Sequence, residues 1–160
     1  MEKLRKIAWE AMLTADLNHR YFDALAGKFY KHDLYTKIFL AAMSSGTVAG
    51  WAFWKDNPCL WKTLSGISAV LAIALPILNY PKKLEAAGRL KTDYDDIKRD
   101  YQLLWARIDN NTHAQTENEL KRIFQKEGKL ATLESTVPGN DKKLNARCQQ
   151  EVLKANGLLA

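Results

Sequence analysis

The sequence predicts an all-α membrane protein: a two-transmembrane helical hairpin with long amphipathic cytoplasmic helices before and after it. Three observations predict this class. Ile38–Trp54 and Thr63–Tyr80 are windows of seventeen and eighteen residues without a charge. Outside them, apolar residues recur three and four positions apart, the helical period. Four prolines and eight glycines in 160 residues argue against a loop-rich all-β fold. The mean hydropathy of −0.34 looks soluble only because charge is crowded outside the two windows.

Hydrophobic residues make up 47% of the chain, enough for one domain with a core. Two cysteines and three histidines are too few for a disulfide scaffold or a zinc ribbon. The net charge of +6 divides into +2 over residues 1–37, +1 over 38–80 and +3 over 81–160. That excess is thin and interleaved with acids, which argues against nucleic acid as a partner despite a pI near 9.3.

Residues 1–36 form the N-terminal cytoplasmic segment. Leu4, Ala8, Ala11, Ala15, Phe22, Leu25 and Phe29 make a helical stripe, interrupted by Asn18 where an apolar residue is due. Trp9, Tyr21 and Tyr30 fall on its flanks.

The hairpin follows, with spans at 37–55 and 63–81 and an external turn at 56–62. Each charge-free window is roughly 26 Å long as a helix, close to the ~30 Å hydrocarbon core. A buried hairpin inside a soluble bundle is the competing reading. Against it, neither window has the polar face that a bundle helix turns to water. Trp51, Trp54 and Trp61 gather at the turn, while Tyr35 and Tyr80 mark the other end, as interfacial anchors do. Lys28, Lys31 and Lys37 before the hairpin and Lys82, Lys83, Arg89 and Lys91 after it put both termini in the cytoplasm. Lys55 and Lys62 oppose this weakly, offset in part by Asp56. The first apolar window begins too late in the chain for a signal peptide. Cys59 then lies outside and Cys148 inside, so the two do not pair within a chain.

Gly46 and Gly50 give the first span a GxxxG face for helix packing and oligomerisation, with Ser44, Ser45 and Thr47 beside it. In the second span Ser65, Ser68, Ala72, Pro76 and Asn79 form a small, polar stripe, and Pro76 kinks the helix. The stripe reads in two ways. It is packing glue, or, in an assembly of hairpins, Ser44, Thr47, Ser65, Ser68 and Asn79 line a water path. Neither window contains an ionisable residue, which argues against a proton relay or voltage sensor.

Residues 82–134 are a cytoplasmic helical region and 135–160 a linker and short C-terminal helix. Ala87, Leu90, Tyr94, Ile97, Tyr101, Leu104 and Ile108 make a seam, and its tyrosines suit packing on the N-terminal helix. Asp93, Asp95, Asp96, Lys98, Arg99 and Asp100 read as the solvated face, with Asp95 paired to Lys98. This helix stops at Asp109–Asn111, and Thr112 with Gln115, or Thr116 with Glu119, caps the next, over 114–133. That helix buries Leu120, Ile123, Phe124 and Leu130. A last helix starts after Asn140 or Asp141 and ends at Asn156-Gly157.

No nucleophile elbow, phosphate loop, dinucleotide fingerprint or HExxH occurs, and His19, His32 and His113 are scattered. Asp93, Asp95 and Asp96 lack the glycine and distal glutamate of a calcium loop. No catalytic residue, cofactor or metal is expected.

The charged N-terminal helix with His19-Arg20-Tyr21-Phe22 and Phe29-Tyr30, the tight hairpin and the long basic helix after it resemble the SLATT family over residues 2–108. These are two-transmembrane effectors associated with bacterial nucleotide-signalling and conflict systems. The resemblance implies a bacterial inner-membrane protein that forms homo-oligomers and permeabilises the membrane in antiphage defence. It implies no catalytic residues. The 80 residues after the hairpin read as helix throughout, with no fused nucleotide-binding domain, so sensing falls to a separate nucleotide-signalling or sensor protein or to the helical tail. A membrane-anchored module recruiting a cytoplasmic partner and a holin-like phage protein are the alternatives.

Overall fold

The computed structural model describes residues 1–53, 58–137 and 141–159, with side chains except at 44–53, 58, 60 and 61. The described residues form helices α1 (Glu2–Phe53), α2 (Pro58–Leu78), α3 (Tyr80–Arg107), α4 (His113–Gly128), α5 (Ala131–Glu134) and α6 (Lys142–Ala155), and no strand. They divide into two compact units. Met1–Ala26 with Glu85–Ala160 make one, and Gly27–Leu84 the other. α1 continues unbroken where its sequence turns from amphipathic to apolar.

In the first unit α1 and α3 pack antiparallel. Arg5 pairs with Asp109, the Trp9 and Trp105 rings lie 5.4 Å apart, Lys98 reaches Asp16, and Phe22 stacks on Tyr94 at 5.8 Å. As numbers rise along α1 they fall along α3. All seven residues of the expected seam are buried, from Ala87 to Ile108. Their partners on α1 include Ala8, Met12, Ala15, Phe22 and Leu25, also buried. Burying the leucine, isoleucine, methionine and phenylalanine side chains among these contributes roughly 1.5–3 kcal/mol each.

Tyr21 departs from its expected place on the flank. It is buried, and its hydroxyl oxygen accepts the backbone N–H of Asp141 at 3.4 Å, which draws it towards the start of α6. Lys98 also departs from expectation. It leaves the solvated face and Asp95 to meet Asp16 at 2.8 Å, while Asp95 pairs with Arg99 one turn on. A buried carboxylate across the interface is the stronger attraction, because Asp95 retains contact with water.

The local helix signals correspond to formed caps. Thr112 and Gln115 make the capping box of α4, and the Asp141 side chain accepts the Leu144 N–H at 3.2 Å to cap α6. Gly157, at φ +67°, closes α6 in a Schellman turn, with Leu158 N–H donating to the Leu153 carbonyl at 2.9 Å. The fourth helix is shorter than expected. It ends at Gly128, a poor helix former, and Lys129 and Leu130 donate to carbonyls three residues back before α5 begins. Leu120 and Ile123 are buried as expected, but Leu130 is only half-buried. Phe124 is exposed: it stands about 100° from Ile123 on the shoulder of the stripe. Its ring meets Tyr101 edge-on at 6.2 Å.

Candidate membrane hairpin and a polar cavity

The second unit contains the apolar part of α1 and all of α2. By length and composition, one helical stretch among the described residues, within Lys62–Arg107, suffices to cross a membrane, and none of its apolar window is buried. Ile67, Val70, Ile73 and Ile77 on α2 are 47–79% exposed. The opposite side, with Leu64, Ser65, Ser68, Leu71 and Leu75, is half-buried. Two of the expected pore-lining residues thus sit on the less exposed side. The Ser68 hydroxyl donates to the Leu64 carbonyl at 2.9 Å, and the Thr63 hydroxyl to that of Cys59 at 3.0 Å. Such bonds satisfy hydroxyls within their own helix.

Of the expected polar stripe, Ala72 and Pro76 are exposed, and α2 continues as helix through Pro76. The interruption comes at Asn79, with φ +46°, between α2 and α3. Pro76 and Pro81 have no N–H to give the carbonyls of Ala72 and Ile77, which weakens the helical ladder on both sides of that point. Asparagine is among the few residues that tolerate the left-handed conformation. Its own N–H donates to Leu75, and its carbonyl accepts from Lys83.

Of the expected interface anchors, Tyr35 is exposed. Tyr80 is half-buried, stacked on His32 at 6.3 Å and tilted against Phe29 at 6.4 Å, with the Lys83 ammonium 5.9 Å from its ring centre. The side chains of Ser44, Gly46, Thr47, Gly50, Trp51 and Trp61, and Trp54 entirely, lie outside the described residues.

Two polar sites in the first unit were not read from the sequence. The first surrounds Asp16, which is buried and accepts from Lys98 and, at 3.2 Å, from Arg20 on its own helix. His19 Nδ1 lies 3.1 Å from the Lys91 carbonyl, and the Lys91 ammonium 2.6 Å from Asp23. Arg147 and Glu151 of α6, paired at 3.4 Å, complete a mixed-charge pocket of about 320 Å³. Its cations and anions are already partnered, so it offers no unmatched charge to a ligand.

The second is a cavity of about 460 Å³ among α1, α3, α4, α5 and the start of α6. Asn18, Phe22 and Tyr94 form one wall, and Glu127, Glu134 and Asp141 supply carboxylates. Tyr94 donates its hydroxyl to Glu134, and Tyr101 donates to Glu127 at 3.4 Å. Burial and then the neighbouring glutamates hold both tyrosine hydroxyls well above their ordinary range. Burial also raises the Glu127 carboxyl. Asn18 has a physical reason here: it lines the cavity with Tyr94, and its polar side chain partly offsets the upward shift of the Tyr94 hydroxyl. Its break in the apolar stripe is the signal that could have pointed to this cavity. Searches against protein-family models, curated proteins and solved structures find no match to this chain.

Proposed function

We propose that this chain is a bacterial inner-membrane effector. Its two-span hairpin crosses the bilayer with both termini in the cytoplasm. Copies assemble through their hairpins and open a leak that depolarises the membrane in antiphage defence. The observation that carries membrane insertion is the outer face of α2, where Ile67, Val70, Ile73 and Ile77 are exposed beside Gly66, Ala69 and Ala72. In water that face is costly, and in lipid it is favourable. The same small residues allow close approach of a second helix, and the SLATT resemblance supplies the leak. The cytoplasmic unit is the part available to a separate nucleotide-signalling or sensor protein.

A second reading, a membrane-anchored module that recruits a cytoplasmic partner, is favoured by one observation. Ser68 is bonded within its own helix on the less exposed side of α2, rather than turned outward. One experiment separates the two: express the chain with its genomic neighbours, add phage, and follow membrane potential with a dye. The effector reading expects depolarisation, and expects Ser65→Leu with Ser68→Leu to abolish it while cross-linked oligomers persist. A wild-type chain that inserts without depolarising would leave the tethered module.

A further inference from the structure

The geometry points to a site for an anionic phospholipid in the second unit, with an acyl chain in a groove between α1 and α2 and the phosphate at a collar of lysines. It rests on the membrane reading above. A groove of about 420 Å³ is bounded by Leu40 on α1 and by Ala72, Leu75 and Pro76 on α2, and its far end reaches Lys37 and Asn79. One end is hydrocarbon and the other polar, the pattern of an amphiphile lying along the hairpin. Ala72 is small and exposed, so the groove stays open at its apolar end.

The charge at the polar end selects the headgroup. Tyr80 stacks on His32, which sets the first turn of α3 beside the 28–37 stretch of α1. Lysines from two helices therefore lie at one end of the unit: Lys31 and Lys37 from α1 and Lys82 from α3, all exposed, with Lys83 half-buried over the Tyr80 ring. Asp33 is the acid lining the groove there, and Lys37 neutralises it at 2.6 Å. The remaining lysines leave that end positive. A zwitterionic lipid brings its own ammonium to compete with them, whereas phosphatidylglycerol carries an uncompensated negative charge.

The test reconstitutes the full chain into phosphatidylcholine vesicles with and without phosphatidylglycerol. Carbonate-resistant insertion is measured in each, and spin-labelled phosphatidylglycerol and phosphatidylcholine report the motionally restricted lipid. The expected result is insertion in both, with phosphatidylglycerol preferred on the order of tenfold. Lys31→Gln, Lys82→Gln and Lys83→Gln together should erase the preference. Ala72→Phe, which fills the groove at an exposed position, should lower the restricted fraction of both lipids. Insertion without headgroup preference, or restriction unchanged by Ala72→Phe, would overturn the lipid site and leave the hairpin reading standing. Failure to insert in either vesicle would overturn the hairpin reading, and the lipid site with it.

Discussion

The Lys98 ammonium lies 2.8 Å from the Asp16 carboxylate, which is buried where α1 meets α3. The pair bridges helices whose sequences are 82 positions apart, and Arg20 closes the other side of the same carboxylate. Truncating one partner of a buried pair leaves the other charge poorly compensated.

Lys98→Ala should therefore lower stability by about 1–3 kcal/mol, because Arg20 still faces Asp16. Lys91→Ala removes a partner from the exposed Asp23 and should cost below about 1 kcal/mol. Thermal unfolding of the full chain in one detergent compares them. Equal losses would mean that Asp16 is effectively solvated.

The two free cysteines should react very differently. Cys59 is exposed, while Cys148 is buried and its thiol is raised by that burial and by Glu151. At pH 8 an impermeant maleimide applied to intact spheroplasts should label the wild type and leave Cys59→Ser unlabelled. Denaturation should then expose one thiol in Cys59→Ser. Labelling of native Cys59→Ser in open membranes would contradict the packing of α6. Cys148 is thus a poor topology reporter, and a fusion at Ala160 serves better.

Stability of the first unit should depend on pH at both ends of the scale. Burial raises Glu127, so ionising it disfavours the folded state, and the wild type carries that cost at neutral pH. Glu127→Gln should raise the unfolding temperature at pH 7, with the gain shrinking as pH falls through the carboxylate range. Tyr94 and Tyr101 hold their protons longer folded than unfolded. Their contribution is complete below the ordinary tyrosine pKa of about 10 and declines as pH rises beyond it. Tyr101→Phe should blunt that alkaline loss. A flat profile on both sides would refute the account of the cavity.

Oligomers in detergent should weaken with Gly46→Ile or Gly50→Ile, since branched bulk blocks close helix approach. The control is Ile73→Leu, on the exposed face of α2. Leu71 is unsuitable as a lipid-face control because it lies on the half-buried side with Ser68. Gel filtration with light scattering reads the result, and unchanged mass in both glycine variants would remove the GxxxG face from the assembly.

The α3 seam was legible because seven residues at helical spacing need one apolar face and nothing else. The caps at Thr112 and Asp141 and the Gly157 stop were legible for a similar reason: each is settled within a few residues. Lys98 with Asp16, and Tyr21 with the start of α6, depend on which helix lies opposite and in what register. Local spacing carries no record of that. The cavity left one trace, Asn18 in an apolar stripe, but its carboxylates come from α4, α5 and the α6 cap. The stripe on α2 was readable as composition. The direction its hydroxyls take was not, because Ser68 bonds the turn before it.

The first unit is discontinuous along the chain: Met1–Ala26 must wait for Glu85–Ala160. During synthesis the intervening 58 residues emerge first, at ~5–20 residues per second, an interval of roughly 3–12 s. Through it the face of Ala8, Met12, Ala15, Phe22 and Leu25 has no α3 to pack against, while the apolar part of α1 and all of α2 leave the ribosome. Completion of the first unit's core thus waits on residues made after the whole apolar stretch, and a nascent chain stalled before Glu85 would hold that α1 face unshielded.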